Sequence, residues 1–284
     1  MGKTNIEKRK VKSGDIASHV LIAGKNTAPP LVLLHGAGPG VNAAANWEAI
    51  MPDLAEKFYV VAPDLSGFGK TDIPTPQPWH IMGWIGERVK QVLGMMDELG
   101  IEKAFLVGNS MGGALALQLL CEAPNRFVDS VLMGSIGAPF TRTPELANLL
   151  SFYADPRKAR YRQMMHSFAY DADKFTGMES IVEKRYKIAT DPAVRENHEK
   201  MFGSMQGGME SLIMAPSILK KIPHKLLIFH GRQDRIVPLE TSLYLIEHLK
   251  NAELLVLDKC GHWAQLERWD LMRPMMERHF GATL

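Results

Sequence analysis

Cysteine is scarce: only Cys121 and Cys260 occur in 284 residues, with no C-x-x-C spacing. A disulfide framework is therefore not expected, and a reducing cytoplasm suits the pair. Long apolar runs are also missing. Residues 1–12 are rich in Lys and lack the apolar stretch of a signal peptide, so no secretory signal is expected, and no later stretch approaches the roughly 20 apolar residues of a membrane span. Met1-Gly2 opens like a myristoylation signal, but Ile6 stands where Ser or Thr is needed. Charge of one sign is equally scarce. Thirty-three Lys+Arg against 31 Asp+Glu leave a net +2, which argues against nucleic acid or anionic membrane as partner. The ten histidines contain no His-Glu-x-x-His and the cysteines have no ligand spacing, so a metal site is not expected.

What remains is an ordinary globular composition, 46% hydrophobic and 23% charged, long enough for two domains or for one large α/β domain with an insertion. Residues 6–11 and 16–22 read as a hairpin about Ser13-Gly14-Asp15. Leu31-Val32-Leu33-Leu34 then runs into His35-Gly36-Ala37-Gly38-Pro39-Gly40, the pattern of a strand buried on both faces with a glycine loop at its carboxyl end. Residues 58–62 and 104–107 repeat the strand pattern, with a helix over 84–99 between them closed by Gly100. An Ala/Leu helix over 111–121 and a strand over 128–133 continue the alternation that a parallel sheet requires.

The rhythm breaks over residues 138–215, a helical insertion carrying Arg157, Lys158, Arg160, Arg162, Lys184, Arg185 and Lys187. Seven of the 17 methionines lie in it: Met164, Met165, Met178, Met201, Met205, Met209 and Met214. Such residues either adapt to an apolar ligand or fill gaps in a small helical core, and the second reading is preferred. Strands over 225–229 and 254–257, a helix over 239–249 and a final helix over 263–280 resume the sheet. Residues 1–137 and 216–284 are thus expected to form the core domain and 138–215 a helical lid.

Gly108-Asn109-Ser110-Met111-Gly112 matches G-x-S-x-G, with a buried strand before it and a helix after it. In that context the serine sits on a strained turn with its hydroxyl raised above the sheet. The alternative is a glycine turn whose serine caps the next helix. A serine hydroxyl needs a base within hydrogen-bond reach and a third group to orient that base. His262 follows the last strand, Asp234 follows the strand before it, and the chain order Ser, Asp, His is the one this arrangement uses. Asp258 and Asp64 are lower-ranked rivals for Asp234. The oxygen that gains charge on attack needs two N–H donors, worth about 3 kcal/mol each. The Met111 and Ala37 backbones are the candidates. A dinucleotide fingerprint is disfavoured in the same loop because Val41 stands where G-x-G-x-x-G needs glycine. Cys260 as nucleophile is conceivable, but a buried thiol is the better reading.

Taken together, the 35–40 loop, Asn46-Trp47, Gly108-Asn109-Ser110-Met111-Gly112-Gly113 and Cys260-Gly261-His262-Trp263-Ala264 resemble the α/β-hydrolase superfamily, and within it the meta-cleavage-product hydrolases of aromatic catabolism. The likeness runs from about residue 8 to 280. It implies a mostly parallel eight-stranded sheet flanked by helices with a helical lid, and a small-molecule substrate, a 2-hydroxy-6-oxohexa-2,4-dienoate. Cleavage of its C–C bond would yield 2-hydroxypenta-2,4-dienoate and a carboxylic acid, without a cofactor.

By the same likeness Ser110, Asp234 and His262 are the triad and the Ala37 and Met111 amides the oxyanion donors. Arg185 would pair with the substrate carboxylate, with Asn46, Asn109 and Trp263 around it; Arg195 and Arg162 are alternatives in the same insertion. Ala37 is bulkier than the glycine often found there, which implies a narrower pocket. A cytoplasmic homo-oligomer, dimer or higher, is expected. A carboxylesterase or perhydrolase would use the same triad, and a non-catalytic receptor would keep only the pocket. A haloalkane dehalogenase is disfavoured because its nucleophile is an aspartate where Ser110 stands.

Overall fold

The computed structural model describes residues 5–206 and 208–281. The Met1-Gly2 motif, position 207 of the insertion and the last three residues of the 216–284 segment lie outside them. Eight strands, β1 (Glu7–Ser13), β2 (Ile16–Ala23), β3 (Pro30–Leu34), β4 (Tyr59–Pro63), β5 (Ala104–Asn109), β6 (Phe127–Met133), β7 (Leu226–Gly231) and β8 (Ala252–Leu257), form one sheet ordered 1-2-4-3-5-6-7-8. The β1–β2 and β2–β4 pairs are antiparallel and all others parallel. Edge strand β1 leaves Glu7 to Lys10 exposed. That row of charges discourages pairing with a further strand.

Alternation along the strands sends successive side chains to opposite faces, and two apolar clusters follow from it. Val32, Leu34 and Leu106 join one cluster; Leu31, Leu33, Phe105 and Val107 join the other. Helices α1 (Ala43–Trp47), α2 (Met51–Leu54), α3 (Ile81–Glu98) and α4 (Met111–Glu122) link the first strands. Helix α3 begins three residues earlier than its periodicity predicts, because His80 caps it by accepting the Met82 N–H at 3.2 Å. The sequence reading has no counterpart for α1 and α2, whose five and four residues are too short for a helical period to register.

Between β6 and β7 lie α5 (Pro144–Leu150), α6 (Lys158–His166), α7 (Met178–Ala189), α8 (Pro192–Gln206) and α9 (Pro216–Leu219), with 3-10 turns at Phe152–Ala154 and Met209–Leu212. Phe152, Tyr161, Met164, Met165, Met178 and Met201 from this stretch belong to the same apolar cluster as Leu34 and Leu106. The stretch is therefore packed onto the sheet domain. After α10 (Glu240–His248) and β8, the single last helix expected over 263–280 is two, α11 (Ala264–Glu267) and α12 (Trp269–Gly281). Arg268 breaks the run with φ −135°, ψ 34° while its guanidinium reaches the Asp258 carbonyl. Among the described residues no helix is long and apolar enough to cross a membrane.

Candidate active site

Ser110 joins β5 to α4 with φ 56° and ψ −118°, a backbone that costs a side-chain-bearing residue about 1–3 kcal/mol. The surrounding chain enforces it. The Ser110 N–H donates to Met133 C=O at 2.9 Å, and the Ser110 C=O accepts from Gly113 N–H at 2.9 Å and Ile136 N–H at 3.2 Å. A Cβ on Gly108 would strike the Gly112 carbonyl oxygen and come within 2.7 Å of Gly113 Cα; a Cβ on Gly112 would strike the Leu34 carbonyl oxygen. Gly108 lets the start of α4 lie directly against β5, and Gly112 lets it lie against the end of β3. Gly112→Ala is expected to cost about 3 kcal/mol or more, because its obstacle is backbone that cannot rotate away. Urea denaturation checks this, and an unchanged midpoint would contradict it.

His262 lies beyond β8 and Asp234 beyond β7, and the two are bonded: His262 Nδ1 is 2.7 Å from Asp234 Oδ2, with side chains 2% and 1% exposed. Asp234 Oδ1 accepts the Ile236 and Val237 N–H groups at 2.8 and 3.0 Å. Held in this way, the Asp234 oxygen accepts the ring proton on Nδ1 and leaves the Nε2 lone pair of His262 free. Ser110 and His262 line one narrow cavity together with Ala37 and Met111, and its other walls are apolar, including Leu149, Phe168, Met205 and Met209. The rival acids are engaged elsewhere. Asp64 is buried, where desolvation alone would raise its pKa, but bonds from His19, Lys70 and Ala43 outweigh that and hold it below its ordinary value. Asp258 is exposed beside Arg232 and Gln233. Cys260 is buried, and desolvation pushes its thiol well above the ordinary range, so it stays protonated.

The first N–H groups of a helix have no partner within it, so the Met111 N–H at the head of α4 is open to the cavity's contents. The Ala37 N–H is aimed by its neighbour. Leu65 N–H donates to His35 Nε2 at 2.9 Å, so the ring proton is on Nδ1, which donates to the Gly36 C=O at 2.7 Å. In a trans peptide the following N–H points opposite to that carbonyl, so the Ala37 N–H is turned away from His35. Sequence reasoning missed this role, although His35 opens the very loop it singled out.

Burial lowers the His35 pKa from 6.5 to about 4, and burial likewise lowers that of His198, on α8, to about 4. Both rings fold neutral, so on acidification the unfolded chain takes up protons first. Stability is whole above pH 6.5 and declines as pH falls towards 4, by about 3 kcal/mol for each ring. Guanidinium unfolding at pH 7.5 and 4.5 measures this; equal free energies would contradict it.

The residues that the resemblance ties to a carboxylate also meet. Arg185, on α7, is buried and stacks over Trp263 at 4.9 Å, and its Nη2 donates to the Ala45 C=O at 2.5 Å. Desolvation lowers its pKa, and among the described residues it makes no ion pair. Asn46 Nδ2 is 3.5 Å from Asn109 Oδ1, and Asn109 Nδ2 donates to Met133 C=O at 3.1 Å. The alternatives Arg162 and Arg195 are half-exposed and paired with Glu179 and Glu199. Nothing in the sequence pointed to Phe168, whose carbonyl accepts the His262 N–H at 2.7 Å and whose ring lies 5.1 Å from that of Trp263.

Comparison with known proteins shows the family. Residues 31–273 match the model of the alpha/beta hydrolase family. The structure of 2-hydroxy-6-oxo-6-phenylhexa-2,4-dienoate hydrolase from Rhodococcus sp. strain RHA1 superposes with a TM-score of 0.96 at 60% identity, over 98% of this chain and 99% of that one. A meta-cleavage product hydrolase from Pseudomonas fluorescens IP01 superposes with a TM-score of 0.89 at 32% identity, over 99% of each chain. The 2-hydroxymuconate semialdehyde hydrolase of Pseudomonas sp. strain CF600 is 37% identical over 90% of both chains. The chain belongs to the α/β-hydrolase family, among its meta-cleavage-product hydrolases. In this hydrolase Met164, Met165, Met178, Met201, Met205 and Met214 of the insertion belong to the buried apolar cluster, and Met205 and Met209 also wall the cavity.

Proposed function

We propose that the hydrolase cleaves the C5–C6 bond of a 2-hydroxy-6-oxohexa-2,4-dienoate, yielding 2-hydroxypenta-2,4-dienoate and a carboxylic acid. Ser110, His262 and Asp234 act as the triad and the Ala37 and Met111 N–H groups as the oxyanion hole. Arg185, with Asn46, Asn109 and Trp263, receives the substrate carboxylate. The observation that carries this reading is Arg185, a buried cation beside the histidine loop that pairs with no protein carboxylate among the described residues. A charge so placed is costly unless an anion joins it, and a guanidinium grips a carboxylate with two parallel bonds. A plain esterase has no use for it.

With the carboxylate anchored, the C6 carbonyl lies towards Ser110 and its substituent among the apolar walls. The dienol first becomes a keto tautomer by moving its hydroxyl proton to C5, with His262 placed to carry it. Ser110 then gives its proton to His262 Nε2 and attacks C6, and the two N–H groups hold the oxyanion. As the C5–C6 bond breaks, its electron pair moves into the C2 carbonyl, the proton returns to the leaving dienol, and water releases the acid from Ser110. We read residues 138–215 as the lid that keeps water from the first half of this sequence.

The test is the yellow colour of 2-hydroxy-6-oxo-6-phenylhexa-2,4-dienoate. Bleaching at a catalytic rate with equimolar benzoate and 2-hydroxypenta-2,4-dienoate is expected. A folded enzyme that hydrolyses p-nitrophenyl acetate and leaves the dienoate intact would establish the esterase reading instead.

A further inference from the structure

A second buried arginine lies outside everything described so far. Arg88 projects from the middle of α3 and is fully buried. Its Nε donates to the Ser66 C=O at 3.1 Å, its Nη1 to Met111 Sδ at 3.2 Å and its Nη2 to Met201 Sδ at 3.3 Å. The guanidinium carbon stands 5.2 Å from the Phe68 ring and 5.3 Å from that of Trp84. Among the described residues it makes no ion pair, and the nearby His35 and His198 are neutral.

One carbonyl, two thioethers and two aromatic faces are soft partners for a full charge. A methionine would fill the same space without that charge, so packing alone does not account for an arginine here. Its two sulfur contacts show what it joins. Met111 supplies the N–H at the head of α4 and lines the catalytic cavity, and Met201 lies one helical turn before Met205, which roofs that cavity from α8.

We propose that Arg88 is a positioning residue for the oxyanion hole, clamping Met111 to the roof helix and setting an unneutralised positive charge behind the oxygen that becomes negative. This rests on the reading of Met111 as an oxyanion donor. Ground-state substrate carries little charge at that oxygen, so the field acts on the transition state and hardly on binding. Arg185 faces the substrate carboxylate and should matter only for dienoates; Arg88 should matter for any acyl substrate.

The variants are Arg88→Met, close in length and uncharged, and Arg88→Lys, which keeps the charge and loses the fork. Arg88→Met is expected to lower kcat about 10- to 30-fold for both the phenyl dienoate and p-nitrophenyl acetate, with KM within about threefold. Phenylboronic acid, which forms a tetrahedral adduct on the serine, should inhibit it more weakly by the same factor, while the thermal midpoint holds or rises. Arg88→Lys should recover kcat to within about fivefold of the parent enzyme. Unchanged kcat and boronate affinity in Arg88→Met would overturn the proposal, as would losses matched by the unfolded fraction; if that variant does not fold, Arg88→Lys with parent-level boronate affinity but kcat reduced to the level of Arg185→Met would overturn it too. An enzyme that cleaves the ester and not the dienoate would defeat the proposed substrate and leave this inference intact.

Discussion

Replacing Ser110 with alanine is expected to lower kcat on a dienoate by about 10⁴-fold or more, with the fold and substrate binding preserved. Alanine bears the same strained backbone as serine at φ 56°, and Ser110 makes its described hydrogen bonds through the main chain, so stability should change little. His262→Ala should fall by a similar factor. Because nucleophile and base act as one unit, the double variant should be scarcely slower than either single one. Stopped-flow absorbance under single-turnover conditions measures all three. Retention of dienoate cleavage within about 100-fold of the parent in Ser110→Ala would exclude the serine as nucleophile.

The second large effect is selective. Arg185→Met should reduce kcat/KM for the phenyl dienoate about 10³-fold, equivalent to about 4 kcal/mol and within the range for a buried charge pair broken on one side. On p-nitrophenyl acetate, which has no carboxylate to grip, the change should stay within about threefold. Stability should hold or increase, since a buried cation is removed. Equal losses on both substrates would mean that Arg185 supports the site as a whole, and the carboxylate assignment would fail.

The parts legible in the sequence are those with a local signature. The glycines about Ser110 are needed because bare backbone passes bare backbone there, and such needs leave a pattern of residue types. Asp234 and His262 were legible from their places just past strands, and their 2.7 Å contact follows from β7 and β8 being neighbours.

What depended on burial was not legible. Arg185 could not be separated from Arg162 and Arg195 by type or spacing; what separates them is that one is enclosed over Trp263 and the others reach glutamates at the surface. Arg88 reads as one more basic residue of an amphipathic helix until its two sulfur contacts are seen. Phe168 acts through its main-chain carbonyl, which no residue type encodes. The division of the last helix at Arg268 is likewise a matter of tertiary contact.

The most direct test is covalent. Treated with a fluorophosphonate, the enzyme should take up one equivalent, peptide mass mapping should place it on Ser110, and dienoate cleavage should disappear in proportion to labelling, while His262→Ala resists modification. A label on any other residue, or dienoate cleavage that survives complete labelling of Ser110, would contradict the account.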